Sequence, residues 1–187
     1  MEVARDLLVQ GGLQAVTMRA VAREVGVSAT ALYRHFVDRD DLLRAVVDAG
    51  RDRLTLYLTR GLEAGSPRER LLATGDGYLD FALEHPHDYR VMFLAWEELQ
   101  IGLHAPDPQG RPSPALQLLM DRVRECRSAS PPEEIQALGL MLWAQVHGLA
   151  SLWVAGGGPA IMPRPHFEAM ARAQVRRLVD ALFPGSE

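Results

Sequence analysis

The side chains best suited to chemistry on a partner lie between Thr17 and Arg39. Ala29, Thr30, Tyr33 and Arg34, with His35 just beyond, share the outer side of a short helix that opens at Ser28. Small residues in front, then a phenol, a guanidinium and an imidazole, suit a helix set into a groove lined by phosphates. Thr30 and Arg34 are expected at base edges, with Ala29 and Ala31 allowing close approach and thymine-methyl contact. Arg34 at a phosphate is the alternative. Thr17, Tyr33, His35 and Arg39 stand at helix ends, where they are expected to grip phosphates and so fix position without reading sequence. The partner implied is double-stranded DNA.

Other reactive types are less well placed. Glu84-His85-Pro86-His87-Asp88 has metal-ligand residue types, but neighbours around a proline splay apart, so helix-junction chemistry is expected and no metal. Cys126 is the single cysteine, which excludes an internal disulfide framework and fits a reducing cytoplasm. His147 could serve as a core histidine, as the polar anchor of a ligand cavity, or as a general base in an all-α enzyme. No second catalytic group stands at a defined spacing from it, and no cofactor motif occurs.

The elements that would position the first set are legible. Thr17 is a good N-cap. Met18, Val21, Ala22 and Val25 recur at spacings of three and four, predicting a two-turn helix with that side buried. Gly26 supplies a left-handed end, Val27 fills the corner, and Ser28 caps a second helix carrying Leu32 and Phe36 inward. The product is a helix-turn-helix whose second helix enters the major groove.

The run GVSATALYRHFVDRDDLL resembles the signature of the tetracycline-repressor-like (TetR) family of bacterial transcription regulators. The likeness extends from about Leu7 to Val47 and includes Thr17, Ala22, Gly26, Val27, Ser28, Leu32, Tyr33, His35, Phe36 and Leu42. Arg39 stands where the family usually has lysine, and Met1 lies almost at the first helix, where many members carry a basic arm. The resemblance implies a homodimeric repressor on a pseudo-palindromic operator, released when a small molecule enters the helical C-terminal domain and shifts the fourth helix. A member that has lost DNA binding is the remaining alternative within the family.

Composition neither helps nor forbids this. Net charge is −4, and residues 1–47 carry six arginines against six acids, so affinity for DNA must come from the placement of charge. All 20 basic residues are arginine. No apolar run is expected to span a bilayer, and a cytoplasmic protein is anticipated.

The fold class expected is all-α, with about nine helices: residues 1–46 as the DNA-binding domain and 47–187 as a ligand-binding and dimerisation domain. The first helix is expected to stop at Gly11-Gly12 and the fourth to run from Arg39 to Leu62. Ser66-Pro67-Arg68-Glu69 and Ser130-Pro131-Pro132-Glu133 are start signals. The last helix is expected to bury Phe167, Met170, Ala171, Gln174, Leu178 and Leu182.

Between Pro132 and Val154, Ala144, Gly148, Ser151 and Ala155 form a small-residue stripe opposite Leu142, Val146, Leu149 and Trp153. Such a stripe admits another helix closely. A dimer contact, completed by Gln174 and Leu178, is expected over a monomer core helix. Trp143 and His147-Gly148 also resemble a subgroup whose C-terminal domain carries a Trp…His-Gly signature. An effector cavity is expected from Tyr78, Met92, Phe93, Trp96 and Trp143 with His147 as polar anchor, although these bulky residues equally suit a plain core. The effector expected is a small, mostly apolar or aromatic molecule with one hydrogen-bonding group.

Overall fold

Several helices in this chain begin where a short polar side chain holds an otherwise unpaired N–H. The Thr17 hydroxyl accepts from the Ala20 N–H at 3.1 Å, and Ser28 Oγ accepts from the Ala31 N–H at 3.1 Å. Asp38 Oδ1 accepts from the Asp41 N–H at 2.8 Å, while Asp41 Oδ2 reaches back to the Val37 N–H at 3.0 Å. Ser66 and Glu69 form the expected capping box, with the Glu69 N–H on Ser66 Oγ at 3.2 Å and the Ser66 N–H on Glu69 Oε2 at 2.8 Å. The Ser66 N–H is the main reason the Glu69 carboxyl sits below its usual range. Ser130 does not play this part: Pro131 occupies the cap position with no side-chain bond, and Pro132 presets the first turn.

The computed structural model describes residues 1–63, 65–93, 113–155 and 157–184. Ten helices occur among the described residues: α1 Glu2–Ala15, α2 Met18–Val25, α3 Ala29–Leu32, α4 Arg39–Leu58, α5 Pro67–Glu84, α6 Pro86–Phe93, α7 Pro114–Cys126, α8 Pro132–Val154, α9 Gly158–Ile161 and α10 Arg164–Leu182. The fold is all-α. The helix not anticipated from sequence is α9, a single turn in the glycine-rich break, entered through Gly157 at φ 75°.

Three boundaries differ from expectation. Gly12 does break α1, with φ 65° and ψ −170°, but the chain then makes a further helical turn to Ala15. α3 is one turn long; bonds from the Tyr33 N–H to Ala29 O and from the Phe36 N–H to Leu32 O continue it as a string of turns. α4 ends at Leu58, where the Thr59 hydroxyl donates back to Thr55 O at 3.0 Å.

Two compact units result, Met1–Arg53 with His85–Ala105 and Leu54–Glu84 with Pro106–Glu187. The core of the first joins Ala4 and Leu8 of α1, Met18, Val21 and Ala22 of α2, Leu32 of α3, the Leu42–Val47 turns of α4, and Val91 of α6. In the second, α5, α7, α8 and α10 pack on one another. Its core includes Leu71, Leu72, Val123, Ile135, Leu142, Val179 and Phe183. The buried stripe of α10 is Phe167, Ala171, Val175 and Val179, at a spacing of four. It is turned from the expected one: Gln174 is exposed, and Met170, Leu178 and Leu182 are half-buried.

By length and composition α8 could cross a membrane, contrary to the expectation that no such run exists. Leu142, Val146, Leu149 and Trp153 are buried within the second unit, which gives that apolar character a core use.

Candidate nucleic-acid interface and effector site

The turn between α2 and α3 is fixed from inside and bare outside. Gly26 closes α2 at φ 79° and ψ 27°, the left-handed conformation expected of it, and the Val27 N–H bonds Ala22 O at 2.9 Å. Met18, Val21, Ala22 and Leu32 anchor the corner in the core. Val25 and Val27 are not buried as expected; they are 51% and 44% exposed, because the helix ends before any element covers them.

On the outer side, Thr30, Tyr33, Arg34 and His35 are exposed, Tyr33 by 54%. Ala29 and Ala31 are half-buried between this row and the core. None of Thr30, Tyr33, Arg34 and His35 makes a side-chain hydrogen bond or ion pair among the described residues. Thr17 is exposed beside the start of α2, and Ser28 beside the start of α3.

The arginines of this unit divide by what they already hold. Arg5 pairs with Asp88 at 3.0 Å, and Arg23 with Glu24 at 3.2 Å. Arg39, expected at a phosphate, instead donates Nε to Val16 O at 2.8 Å and Nη2 to Leu13 O at 2.5 Å. Arg19, Arg34 and Arg44 are exposed and carry no ion pair among the described residues. The unit with no net charge in its first 47 residues therefore still offers uncommitted cations. Arg19, two residues past Thr17, was not singled out by sequence; its place in the first turn of α2 was the available signal.

Asp88 was also missed. It is 5% exposed and holds both Arg5 and Arg53, so one carboxylate ties α6 to α1 and α4. His87 Nδ1 lies 3.4 Å from Asp6 Oδ1. The His85–Asp88 junction is thus an ionic joint, and no metal-ligand cluster occurs among the described residues.

In the second unit, Tyr78 of α5 and His147 of α8 meet. The Tyr78 hydroxyl and His147 Nδ1 share a hydrogen bond at 2.8 Å, and Ser151 Oγ lies 3.5 Å from Nε2. The Trp143 ring leans over the imidazole with centroids 5.2 Å apart. Burial pushes the His147 imidazole below its ordinary value, because desolvation disfavours the charged form. Of the residues expected around an effector, these three come together. Met92 and Phe93 lie in the first unit: Met92 Sδ fills the space over Gly50 of α4, and Phe93 packs on Tyr89 at 4.6 Å between centroids. Trp96 and the Gly- and Pro-rich stretch from Gly102 lie outside the described residues.

The expected dimer stripe faces outward in part. Ala144 and Ala155 are exposed, Gly148 and Ser151 half-buried, and a Cβ on Gly148 would meet nothing within 4 Å. Gln174 of α10 accepts from Gln145 Nε2 at 3.2 Å.

Comparison with known proteins gives this arrangement its context. Residues 1–46 match the family described as bacterial regulatory proteins, tetR family. Residues 71–178 match the family described as tetracyclin repressor-like, C-terminal domain, a description that does not mention the Trp…His-Gly subgroup. The helix-turn-helix transcriptional activator FasR of Mycolicibacterium smegmatis is 31% identical over 91 residues, 48% of this chain and 42% of the relative. A helix-turn-helix transcriptional regulator of Staphylococcus aureus is 28% identical over 96 residues, 51% of this chain and 50% of the relative. The matches thus span about half the length of these curated relatives.

Among solved structures, a protein of unknown function from Rhodococcus sp. RHA1 is 29% identical with a TM-score of 0.68, covering 93% of this chain and 90% of that one. A TetR-like transcriptional regulator from the same organism shares the fold at a TM-score of 0.72 and 22% identity, covering 97% and 92%. So does a TetR variant from Acinetobacter baumannii in complex with minocycline, at 0.63 and 19%, covering 100% and 95%. With both parts of the chain matched, it belongs to the TetR family of bacterial regulatory proteins.

Proposed function

We propose that the chain is a homodimeric, ligand-responsive repressor of a pseudo-palindromic operator. The observation that carries this is the exposed, unpartnered row Thr30, Tyr33, Arg34 and His35 on a corner whose inner side is locked in a core. Residues 1–46 hold DNA and residues 47–187 serve ligand binding and dimerisation. Thr30 and Arg34 read base edges; Thr17, Tyr33 and His35 hold phosphates, with Ser28 and Ala29 at the groove wall.

A second copy is the occupant proposed for the outward side of α8. Leu140, Met141 and Leu152 are exposed there beside Ala144 and Ala155, and the open space at Gly148 supports close helix approach. Gln174 and Leu178 of α10 extend that contact. The effector is a small apolar or aromatic molecule and is held through His147 beside Tyr78 and Trp143. A fold neighbour crystallised with minocycline supports that reading. The effector must prefer the state that does not bind DNA, and its effect cannot exceed that preference. A cytoplasmic location goes with this function.

Footprinting on the DNA upstream of the gene tests the dimer and the operator together. Two protected half-sites one helical turn apart, about 10–10.5 bp between centres, are expected, with a sedimenting mass of two chains. A single half-site bound by a monomer overturns the proposal. Transcription in vitro from the adjoining promoter should fall as protein is added; a rise would instead place the chain with the relative named an activator.

A further inference from the structure

We propose that Arg39 is a positioning residue that staples the reading corner shut, and not a phosphate contact. The inference rests on the DNA-binding role of the corner. α2 and α3 lie on the segment between Val16, which follows α1, and Asp38, which caps α4. Arg39, the first residue of α4, sends its guanidinium back across that opening. Nε reaches Val16 O at 2.8 Å and Nη2 reaches Leu13 O at 2.5 Å, across 23 and 26 residues of sequence.

The acceptors suit the donor. Leu13 lies in the last turn of α1, where its carbonyl accepts the capping Val16 N–H at 3.1 Å and keeps a second lone pair for a donor from outside the helix. Val16 is fully buried, so its carbonyl has no water to turn to. Thr17 follows at once; its hydroxyl holds the Ala20 N–H and its carbonyl accepts from the Val21 N–H at 2.9 Å. Fixing Val16 therefore fixes the start of α2. At the other end, Asp38 and Asp41 cap α4 and hold Arg39 at its first position. Both ends of the reading segment are joined through one side chain.

Two carbonyls facing one planar fork are served by guanidinium geometry, with donors at set spacing and direction. A lysine ammonium keeps the charge but places it at a single point. Charge and geometry can thus be separated by substitution. A phosphate contact depends on charge, and lysine preserves it. A staple depends on the fork, and lysine does not.

The test uses the full chain with Arg39→Lys and Arg39→Gln. Affinity for a labelled mixed-sequence 30-bp duplex is measured across a salt series, and hydrogen exchange is followed in the segment 13–21. The staple predicts faster exchange there in both variants. It also predicts a similar loss of DNA affinity in both, about tenfold or more, with the wild-type salt slope retained. The proposal is overturned if Arg39→Lys binds like wild type while Arg39→Gln loses about one unit of salt slope with exchange unchanged. If Arg39→Gln unfolds the unit, Arg39→Lys decides by the same two readouts. Should wild type show no salt-dependent binding, the DNA role fails, while exchange in the variants still reports on the staple.

Discussion

The α2–α3 corner and the Tyr78–His147 contact are held together in opposite ways. The corner is closed largely by neighbours in sequence: Thr17 to Ala20, Ala22 to Val27, Ser28 to Ala31. The contact in the second unit joins residues 69 apart, and its geometry exists only once α5 and α8 have packed. A reading head built from local bonds keeps its shape when a distant site changes. A site built from distant partners responds to small shifts of the helices that carry them, as an effector site must.

If distant ties are the more costly to lose, Asp88→Ala should show the largest effect. It leaves Arg5, itself mostly buried, and Arg53 without their carboxylate. The loss expected is about 3 kcal/mol, the low end for a broken buried ion pair because both arginines retain some water. Denaturant unfolding measures it, and a loss below 1 kcal/mol would remove Asp88 as a joint of the first unit.

Gly77→Ala probes close packing in the second unit. A Cβ there would land 2.2 Å from the Tyr57 carbonyl oxygen, a backbone atom that cannot swing aside. Destabilisation of about 1–3 kcal/mol is expected, as for overpacked cores. An unchanged melting temperature would mean that α5 can slide freely.

Local closures should cost less and stay local. Gly26→Ala forces a Cβ into the left-handed region at φ 79°, about 1–2 kcal/mol, and Ser28→Ala removes a cap worth about 1 kcal/mol. Both should weaken DNA binding without altering the pH response of the second unit. Any change in that response would show the two regions to be less independent than their bonding suggests.

The smallest effect is the pH dependence of His147. Its folded pKa lies below the ordinary value near 6.5, so on acidification the unfolded chain takes up a proton that the folded chain resists. Its contribution to stability is therefore complete above about pH 6.5 and declines as pH falls toward the folded pKa. His147→Gln should flatten the melting curve in that window. If the same variant loses effector response while melting barely shifts, the imidazole is an anchor. If melting falls by about 1–3 kcal/mol and response persists, it is a core group.

The contrast also explains what could be read from sequence. Thr17, Gly26, Ser28 and the Ser66–Glu69 box were legible because each acts within four residues. The buried stripe of α8 was legible because Leu142, Val146, Leu149 and Trp153 are large and recur at spacings of three and four. Periodicity gives direction but not cover, so Val25 and Val27 were placed inside although they are 51% and 44% exposed. In α10 two overlapping apolar stripes compete, and packing chose the one through Val175 and Val179. Asp88 sat in a motif that resembled a metal site, and its partners, 83 and 35 residues away, leave no local trace. Arg39 was judged by its charge, while its two bonds depend on where α1 ends.

The central claim is that the corner grips DNA through placed charge in a unit whose first 47 residues carry no net charge. Affinity of the wild-type chain for the DNA upstream of its gene, set beside an equal length of mixed sequence over 50–200 mM salt (roughly the range over which phosphate contacts express themselves), tests it directly. Affinity for both should fall steeply with salt, at about 0.9 of a log unit per log unit of salt for each phosphate neutralised, with the upstream DNA tighter at every point. Affinity that ignores salt, or is equal for the two DNAs throughout, would contradict the account.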